Sequence, residues 1–301
     1  MKISVIIPAY NPPDDHLNAT LAALRGQTLP VTDWELVVVD NRSVPPVGSA
    51  AAGWHPHGKV VREEKPGLVA ARHRGFKETT GDVIVVIDQD NVLDPDYLEK
   101  VLQISSTHPW LGAWGGVMTP RFERPDLAPP QSLYPLLTLR SATQDLWSND
   151  LDHHDSTPWG AGLCLRRAVA DAYGAALVEN PLKGSLDLCG DRRLSGGDTD
   201  ISYTACALGL GKGVFKDLRL EHLIPAERCT AAYLCKTAAG RGYSEVLHHV
   251  VLKGKPPLQA TGPGTWLRRL WRNRRLSPLE RKVEAAAREG SRQAHAEFVR
   301  R

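Results

Sequence analysis

What this 301-residue chain lacks is the first guide to it. Its five cysteines, Cys164, Cys189, Cys206, Cys229 and Cys235, are scattered and show no C-x-x-C spacing, so neither a disulfide framework nor a zinc site is expected from them. No apolar run approaches the length that crosses a bilayer. Met1 leads into a strand-like stretch and then Pro8, without the basic start and long apolar core of a secretory signal. A cytoplasmic protein is therefore expected. No internal repeat is visible, which excludes solenoids and propellers. Net charge is only +3, which gives no ground for a nucleic-acid partner. The charge is unevenly placed: residues 266–301 hold eleven Lys/Arg against four Glu.

What is present is an alternation of buried strands and amphipathic helices. Lys2–Ile7, Trp34–Val39 and Val83–Ile87 are short β-branched runs, of the kind buried on both faces of a parallel sheet. Each run ends abruptly in polar or turn residues: Pro8-Ala9-Tyr10-Asn11, Asp40-Asn41-Arg42-Ser43 and Asp88-Gln89-Asp90. Between them, Asp14 or Asp15 is expected to cap a helix carrying Leu17, Leu21 and Leu24, and a second helix is expected over residues 68–79 after the Pro66-Gly67 turn. Pro95 is placed at the first position of a helix with Tyr97, Val101 and Ile104 on one face. This strand–helix alternation predicts a doubly wound, mostly parallel sheet flanked by helices. Further strands are expected over 111–118 and 213–220, and helices over 168–173, 201–208 and 231–247. Asp198 or Thr199 stands where an N-cap belongs.

Two carboxylates at the C-terminal end of a buried strand, Asp88 and Asp90, sit where open α/β sheets bind ligands. They read equally as a pair for a divalent cation carrying a phosphate group or as a solvated turn. The acidic His pair Asp152-His153-His154-Asp155 is more often a surface loop than a metal site. At residues 266–272, Trp266, Leu267, Leu270 and Trp271 lie among arginines. That composition suits either an interfacial helix on anionic lipid or a helix that packs its Trp face on the domain.

Taken together, VIIPAYN at 5–11, VVVDNRS at 37–43, EKPGLVAARHRG through VIDQDN at 64–91, and SGGDTD with EHLIPAER at 195–200 and 221–228 resemble family 2 glycosyltransferases of the GT-A fold. The nearest look is to bacterial enzymes of surface polysaccharide or glycolipid assembly. The resemblance implies a transferase domain over 1–250, with a nucleotide-sugar-binding half over 1–118 and an acceptor-binding half over 119–250. A basic amphipathic helical tail follows over 251–301. It implies an inverting, metal-dependent transfer from a nucleotide-diphospho-sugar to a saccharide, lipid-linked or other hydroxyl acceptor.

By the same resemblance, Asp88, Asp90 and His222 would hold Mg²⁺ or Mn²⁺, and Asp198 would be the general base. Pro8, Ala9, Tyr10, Asn11, Asp40, Asn41, Gly67, Arg72, Asp88 and Gln89 would bind the donor. Gln89 is expected to point away from the cation, since alternate side chains face opposite ways. A peripheral place on the inner face of the plasma membrane, through 266–301, goes with this reading. The chain departs from the motif twice: Gly197 stands where the family usually has Glu, and Asn41 replaces the second Asp of a D-D pair. A sugar-1-phosphate nucleotidyltransferase is the alternative within enzymes, but the PAYNPP loop has no basic residue to hold a phosphate. A non-catalytic nucleotide-sugar-binding module is the alternative outside them.

Overall fold

The computed structural model describes residues 2–187, 193–258, 271 and 274–299. Strands β1 (Ile3–Ala9), β2 (Trp34–Asp40), β3 (Gly58–Arg62) and β4 (Val83–Val86) form a parallel block. The later strands are β5 (Asn91–Leu93), β6 (Leu111–Phe122), β7 (Leu146–Ser148), β8 (Leu163–Arg166) and β9 (Gly211–Ile224). Among the described residues these make one sheet in the order β3-β2-β1-β4-β8-β6-β9-β5, with β7 also paired to β9. β1–β4, β6 and β9 run one way; β5, β7 and β8 run against them. The sheet is thus mostly parallel, as the alternation predicts.

Period-2 alternation divides the core. Ile3, Val5 and Ile7 of β1, with Leu36 and Val38 of β2, pack under α1 (Asp14–Arg25) and α3 (Tyr97–Thr107). Ile6, Val37, Val39, Ile84 and Val86 face the other side, under α2 (Leu68–Lys77), α4 (Arg167–Glu179) and α5 (Gly197–Ala207). A third cluster joins Leu133, Leu137 and Ile224 to α6 (Ala231–Lys253) and α7 (Pro278–Val299) through Leu234 and Val283. Here two glycines set the approach. A methyl on Gly242 of α6 would overlap the Ala287 carbonyl, and one on Gly290 of α7 would overlap that of Ala239. Only the absence of side chains allows backbones this close.

Several boundaries differ from expectation. Neither Asp14 nor Asp15 caps α1; Pro13 holds the cap position, and both acids lie inside the first turn, where they complement the helix dipole. α3 starts at Tyr97, not Pro95. α4 runs to Glu179, straight through Gly174, and α6 runs to Lys253. α5 starts at Gly197 after Gly196 at φ +116°, so neither Asp198 nor Thr199 is its N-cap. β6 runs on to Phe122, and β9 extends through Glu221 and His222 to Ile224. Asp152–Asp155 is an exposed turn over the buried Lys212, whose Nζ donates to the His153 carbonyl at 2.6 Å and Ser156 Oγ at 3.1 Å. Among the described residues Cys164, Cys206, Cys229 and Cys235 are unpaired; Cys189 lies outside them. So do residues 259–270, 272 and 273, most of the Trp/Arg-rich segment; Trp271 is exposed. No helix among the described residues is long and apolar enough to cross a membrane.

At the end of the sheet away from the ligand-binding edge, Glu35 ties three segments together. Its Oε1 accepts from Ser4 Oγ (2.8 Å), Thr80 N (2.6 Å), Thr80 Oγ1 (3.1 Å) and Gly81 N (3.1 Å). Burial pushes this carboxyl up, but the donors more than offset it and hold it below its ordinary 4.5. A depressed folded value means the stabilisation is complete above that ordinary value and drains as pH falls through the lowered one. Glu35→Gln should therefore cost about 1–3 kcal/mol at pH 7. The gap between variant and wild-type urea midpoints should narrow below pH 4.5. A gap that stays constant on acidification would refute the role given to the charge.

Candidate functional site

The strand order β3-β2-β1-β4 reverses direction of growth between β1 and β4. In such sheets the crevice lies outside the carboxyl ends of the strands flanking that switch. The loops after β1, β2 and β4 meet there. Tyr10 N–H donates to Gln89 Oε1 at 2.8 Å, fastening the β1 loop to the β4 loop. Asn11 N–H donates to Ser43 Oγ (2.9 Å), and Val44 N–H donates to Asn11 Oδ1 (2.8 Å), fastening it to the β2 loop. Asn11 and Arg42 hold φ of +43° and +65°. Side-chain-bearing residues in this region are uncommon and persist where the surroundings enforce them.

Asp40 and Asn41 act on the loop itself. Asp40 is buried and accepts from Ser43 N, Val47 N and Arg62 Nη1, the last at 2.6 Å. Burial raises its carboxyl, but Ser43 and Arg62 bring it below its ordinary value. Asn41 Nδ2 donates to the carbonyls of Glu63 (3.1 Å) and Lys65 (2.7 Å), while its Oδ1 accepts from Gly67 N–H (2.8 Å). An amide is the group that can donate twice and accept once here; a carboxylate would face two carbonyl oxygens. That accounts physically for Asn at this departure from the D-D pattern. Asn41→Asp should lower stability by about 1–3 kcal/mol and loosen residues 63–67. Denaturant melts together with amide exchange at Gly67 would check it, and unchanged protection there would count against it.

Past β4, the chain brings distant residues together. β5 pairs antiparallel with β9, with Asn91 opposite His222, and Leu223 N–H donates to the Asp90 carbonyl at 2.9 Å. This is how an imidazole more than a hundred residues downstream reaches Asp90. His222 Nε2 lies 3.3 Å from Asp90 Oδ2. Arg228 completes the group: Nη2 is 3.0 Å from Asp90 Oδ2, and Nη1 is 3.2 Å from His222 Nε2. Arg228 closes the EHLIPAER motif, six residues after His222, and that placement is the sequence signal for its role.

The two carboxyls are pushed in opposite directions. Burial raises Asp90, but His222 and Arg228 overcome it and hold it low. Burial also raises Asp88, Arg72 draws it down and Asp90 pushes it up again, with a net rise. Pairs of titratable groups driven apart in this way are characteristic of functional sites, which makes this crevice the candidate. Two carboxylates and an imidazole are a donor set that suits a divalent cation, and His222 Nδ1 is buried with no hydrogen-bond partner. As arranged, however, Asp90 Oδ2 and His222 Nε2 both face Arg228. Among the described residues no three such donors stand at metal-binding spacing. The donor chemistry fits a cation, although Arg228 engages both Asp90 Oδ2 and His222 Nε2 in this structure.

Asp198 lies in the first turn of α5. Its Oδ2 accepts from Gly160 N–H at 2.8 Å and its Oδ1 from Thr199 N–H at 2.7 Å. Beside it, the buried Arg72 donates through Nη1 to Asp187 Oδ2 at 2.7 Å. The candidate site therefore has three parts: the ends of β1 and β2 and the loops that follow β1, β2, β3 and β4, with Pro8, Ala9, Tyr10, Asn11, Asp40, Asn41, Gly67 and Gln89; the Asp90–His222–Arg228 group beside Asp88; and Asp198 with Gly160, Arg72 and Asp187. Gly160 and Asp187 were not legible as site residues in advance.

Comparison with known proteins bears on the family and the fold. The family model for "Glycosyl transferase family 2" matches residues 4–169. The chain is 35% identical over 106 residues to the dolichol-phosphate mannosyltransferase of Pyrococcus furiosus, covering 34% of this chain and 30% of that one. It is 31% identical over 110 residues to glycosyltransferase AglE of Haloferax volcanii, covering 35% and 36%. The chain thus spans about a third of the length of these curated relatives. Among solved structures, it resembles the mannosyltransferase PcManGT from Pyrobaculum calidifontis, in complex with GDP-Man and Mn²⁺. The TM-score is 0.58 and the identity 16%, over 97% of this chain and 86% of that one. It also resembles S. aureus TarS 1-349, with a TM-score of 0.51 and 17% identity over 100% and 92%.

Proposed function

Because the chain belongs to glycosyl transferase family 2, we propose that it moves a sugar from a nucleotide-diphospho-sugar to a hydroxyl acceptor, with inversion at the anomeric carbon. The observation that carries this reading is the arrangement of carboxylates around one crevice. Asp88 and Asp90 end β4 on one side, and Asp198 opens α5 on the other, held by the Gly160 and Thr199 amides. The first pair suits a departing diphosphate; the second position suits an arriving hydroxyl. The similar mannosyltransferase holding GDP-Man supports a nucleotide-sugar donor, and its Mn²⁺ supports a divalent cation.

In this reading Asp88, Asp90 and His222 would hold Mg²⁺ or Mn²⁺, which when bound would supply positive charge against the leaving diphosphate. Arg228 serves as their counter-ion before the donor arrives. Two of the lone-pair sites of Asp198 are taken by the backbone amides, which fix the carboxylate in place and leave others for a proton. An acceptor hydroxyl is a weak nucleophile at neutral pH, so Asp198 takes its proton as the new bond forms. The acceptor, saccharide or lipid-linked, is assigned to the 119–250 half, and contact of 266–301 with an anionic membrane belongs to the same proposal. Work in surface polysaccharide or glycolipid assembly is the corresponding role.

The test is a panel of nucleotide-sugars and free nucleotides, each with and without Mn²⁺, read by thermal shift and by nucleoside diphosphate release. Ligand at a hundred times its Kd stabilises by about 2.7 kcal/mol, a shift of several degrees. Cation-dependent stabilisation by one donor, followed by release of its nucleoside diphosphate, is the expected result. Stabilisation without any turnover, on any acceptor, would leave only a binding module.

A further inference from the structure

The Arg72–Asp187 pair is buried, with side-chain exposures of 4% and 10%. Such pairs add little to stability compared with apolar packing of the same volume. This one is built in at some cost to the sequence, because two glycines make room for it. A methyl on Gly197 would stand 2.6 Å from Asp187 Oδ2, and one on Gly160 would overlap Arg72 Nη2. Both glycines belong to the surroundings of Asp198: Gly197 precedes it in α5, and Gly160 N–H donates to its Oδ2. A methyl on Gly160 would also come within 3.6 Å of that same oxygen. Carboxylate, guanidinium, glycine and base therefore form one continuous stack.

We infer that Asp187 is a positioning residue for sugar transfer, delivering from the loop after α4 the carboxylate for which the helix start, with Gly197, leaves space. This rests on the transferase reading above. The physical argument concerns where Arg72 would otherwise go. Its charge acts on Asp187, Asp88 and Asp198 together. A guanidinium offers several donors in a rigid plane and pairs readily with any carboxylate in reach. With Nη1 committed to Asp187, it stays behind Gly160, and Asp198 keeps its free lone pairs for the acceptor. Without that commitment it pairs directly with Asp198 or Asp88, and the base loses the lone pairs it needs. Asp187 thus acts through Arg72 and does not itself touch the reacting atoms.

Steady-state kinetics and melting temperatures of five variants test this. Asp187→Asn should lower kcat by about 10–100-fold, the usual effect of losing a partner behind a functional group, with donor KM changed less than about threefold. Asp187→Gly should do the same. Adding Gly197→Glu to Asp187→Gly returns a carboxylate from the helix side and should recover roughly tenfold or more of that loss. In melting, Gly197→Ala should lower the midpoint of the wild-type chain and lower it clearly less in the Asp187→Gly background, since the clash is gone.

A kcat for Asp187→Asn within about threefold of wild type would overturn the inference, as would a donor KM that absorbs the whole loss. So would a double variant no better than Asp187→Gly alone, or strictly additive melting effects. A wild-type chain that turns over no nucleotide-sugar would instead remove the transferase reading. The melting comparison separates the two failures, because it needs no substrate.

Discussion

Asp198→Asn lowers kcat by about 10²–10⁴-fold and leaves nucleotide-sugar affinity within about threefold of wild type. The reasoning begins with what an amide does at this place. Thr199 N–H donates to Oδ1 and Gly160 N–H to Oδ2, so the side chain must accept on both sides. Asn accepts on one side only and sets its own N–H against the other amide. It can no longer take a proton from an acceptor hydroxyl, and this accounts for most of the loss. A smaller part comes from Gly160, which loses its partner while lying against Arg72. Asp198→Glu separates the contributions, because it keeps a basic carboxylate and misplaces it by one methylene. It should retain more activity than Asn. Donor affinity by calorimetry and kcat by coupled release of nucleoside diphosphate are the measurements, and full activity in Asp198→Asn would end the base assignment.

The second large effect falls on the cation. Asp90→Ala should abolish the part of donor binding that depends on Mn²⁺, and with it about 2–3 kcal/mol of ligand-induced folding stability at ligand concentrations a hundredfold above Kd. It should also destabilise the chain without any ligand. Arg228 Nη2 and His222 Nε2 lie 3.0 Å and 3.3 Å from the oxygen that disappears. Leaving a guanidinium without its carboxylate costs about 3–5 kcal/mol when fully buried and less where, as here, 27% of the side chain reaches solvent. Arg228→Met is the informative partner, because it frees Asp90 Oδ2 and His222 Nε2 from a competing cation. Mn²⁺ titrated into that variant should bind more tightly than into wild type, while Asp90→Ala should show no saturable heat. Identical Mn²⁺ titrations in wild type and Asp90→Ala would rule out this metal site.

Much of the fold was legible because its strands carry their own signature. The runs ending at Ile7, Val39 and Ile87 are β-branched and buried on both faces, and period-2 reasoning needs nothing else. What was missed depended on contacts distant in sequence. Glu221-His222 reads as the polar end of a strand, yet β9 continues because β5 and β6 supply hydrogen-bond partners from residues more than a hundred positions away. Gly174 reads as the end of a helix, yet α4 passes through it, and a methyl there would meet His73 Nε2 at 3.0 Å. Asp198 reads as a helix cap, yet its carboxylate turns to Gly160, a partner from another loop. The site followed the same division. Motif positions such as Asp88, Asp90, Asp198 and His222 stood out by residue type and order. Arg228, Gly160 and Asp187 acquire meaning only when the sheet brings them beside those positions.

The glycine seam between α6 and α7 bears on how the C-terminal part of the chain is held. Gly242 and Gly290 let the helices touch through backbone, and Tyr243 Oη adds a hydrogen bond to Glu297 at 2.6 Å. Contacts of this kind depend on shape more than on charge, so salt should barely affect them. Residues 254–277 join the two helices in one chain, so α7 meets α6 as an intramolecular partner and not at the concentration of a separate molecule. Docking that is only moderate between separate molecules is therefore close to complete within one. Cleavage between the two helices would turn an intramolecular contact into a reversible, concentration-dependent one.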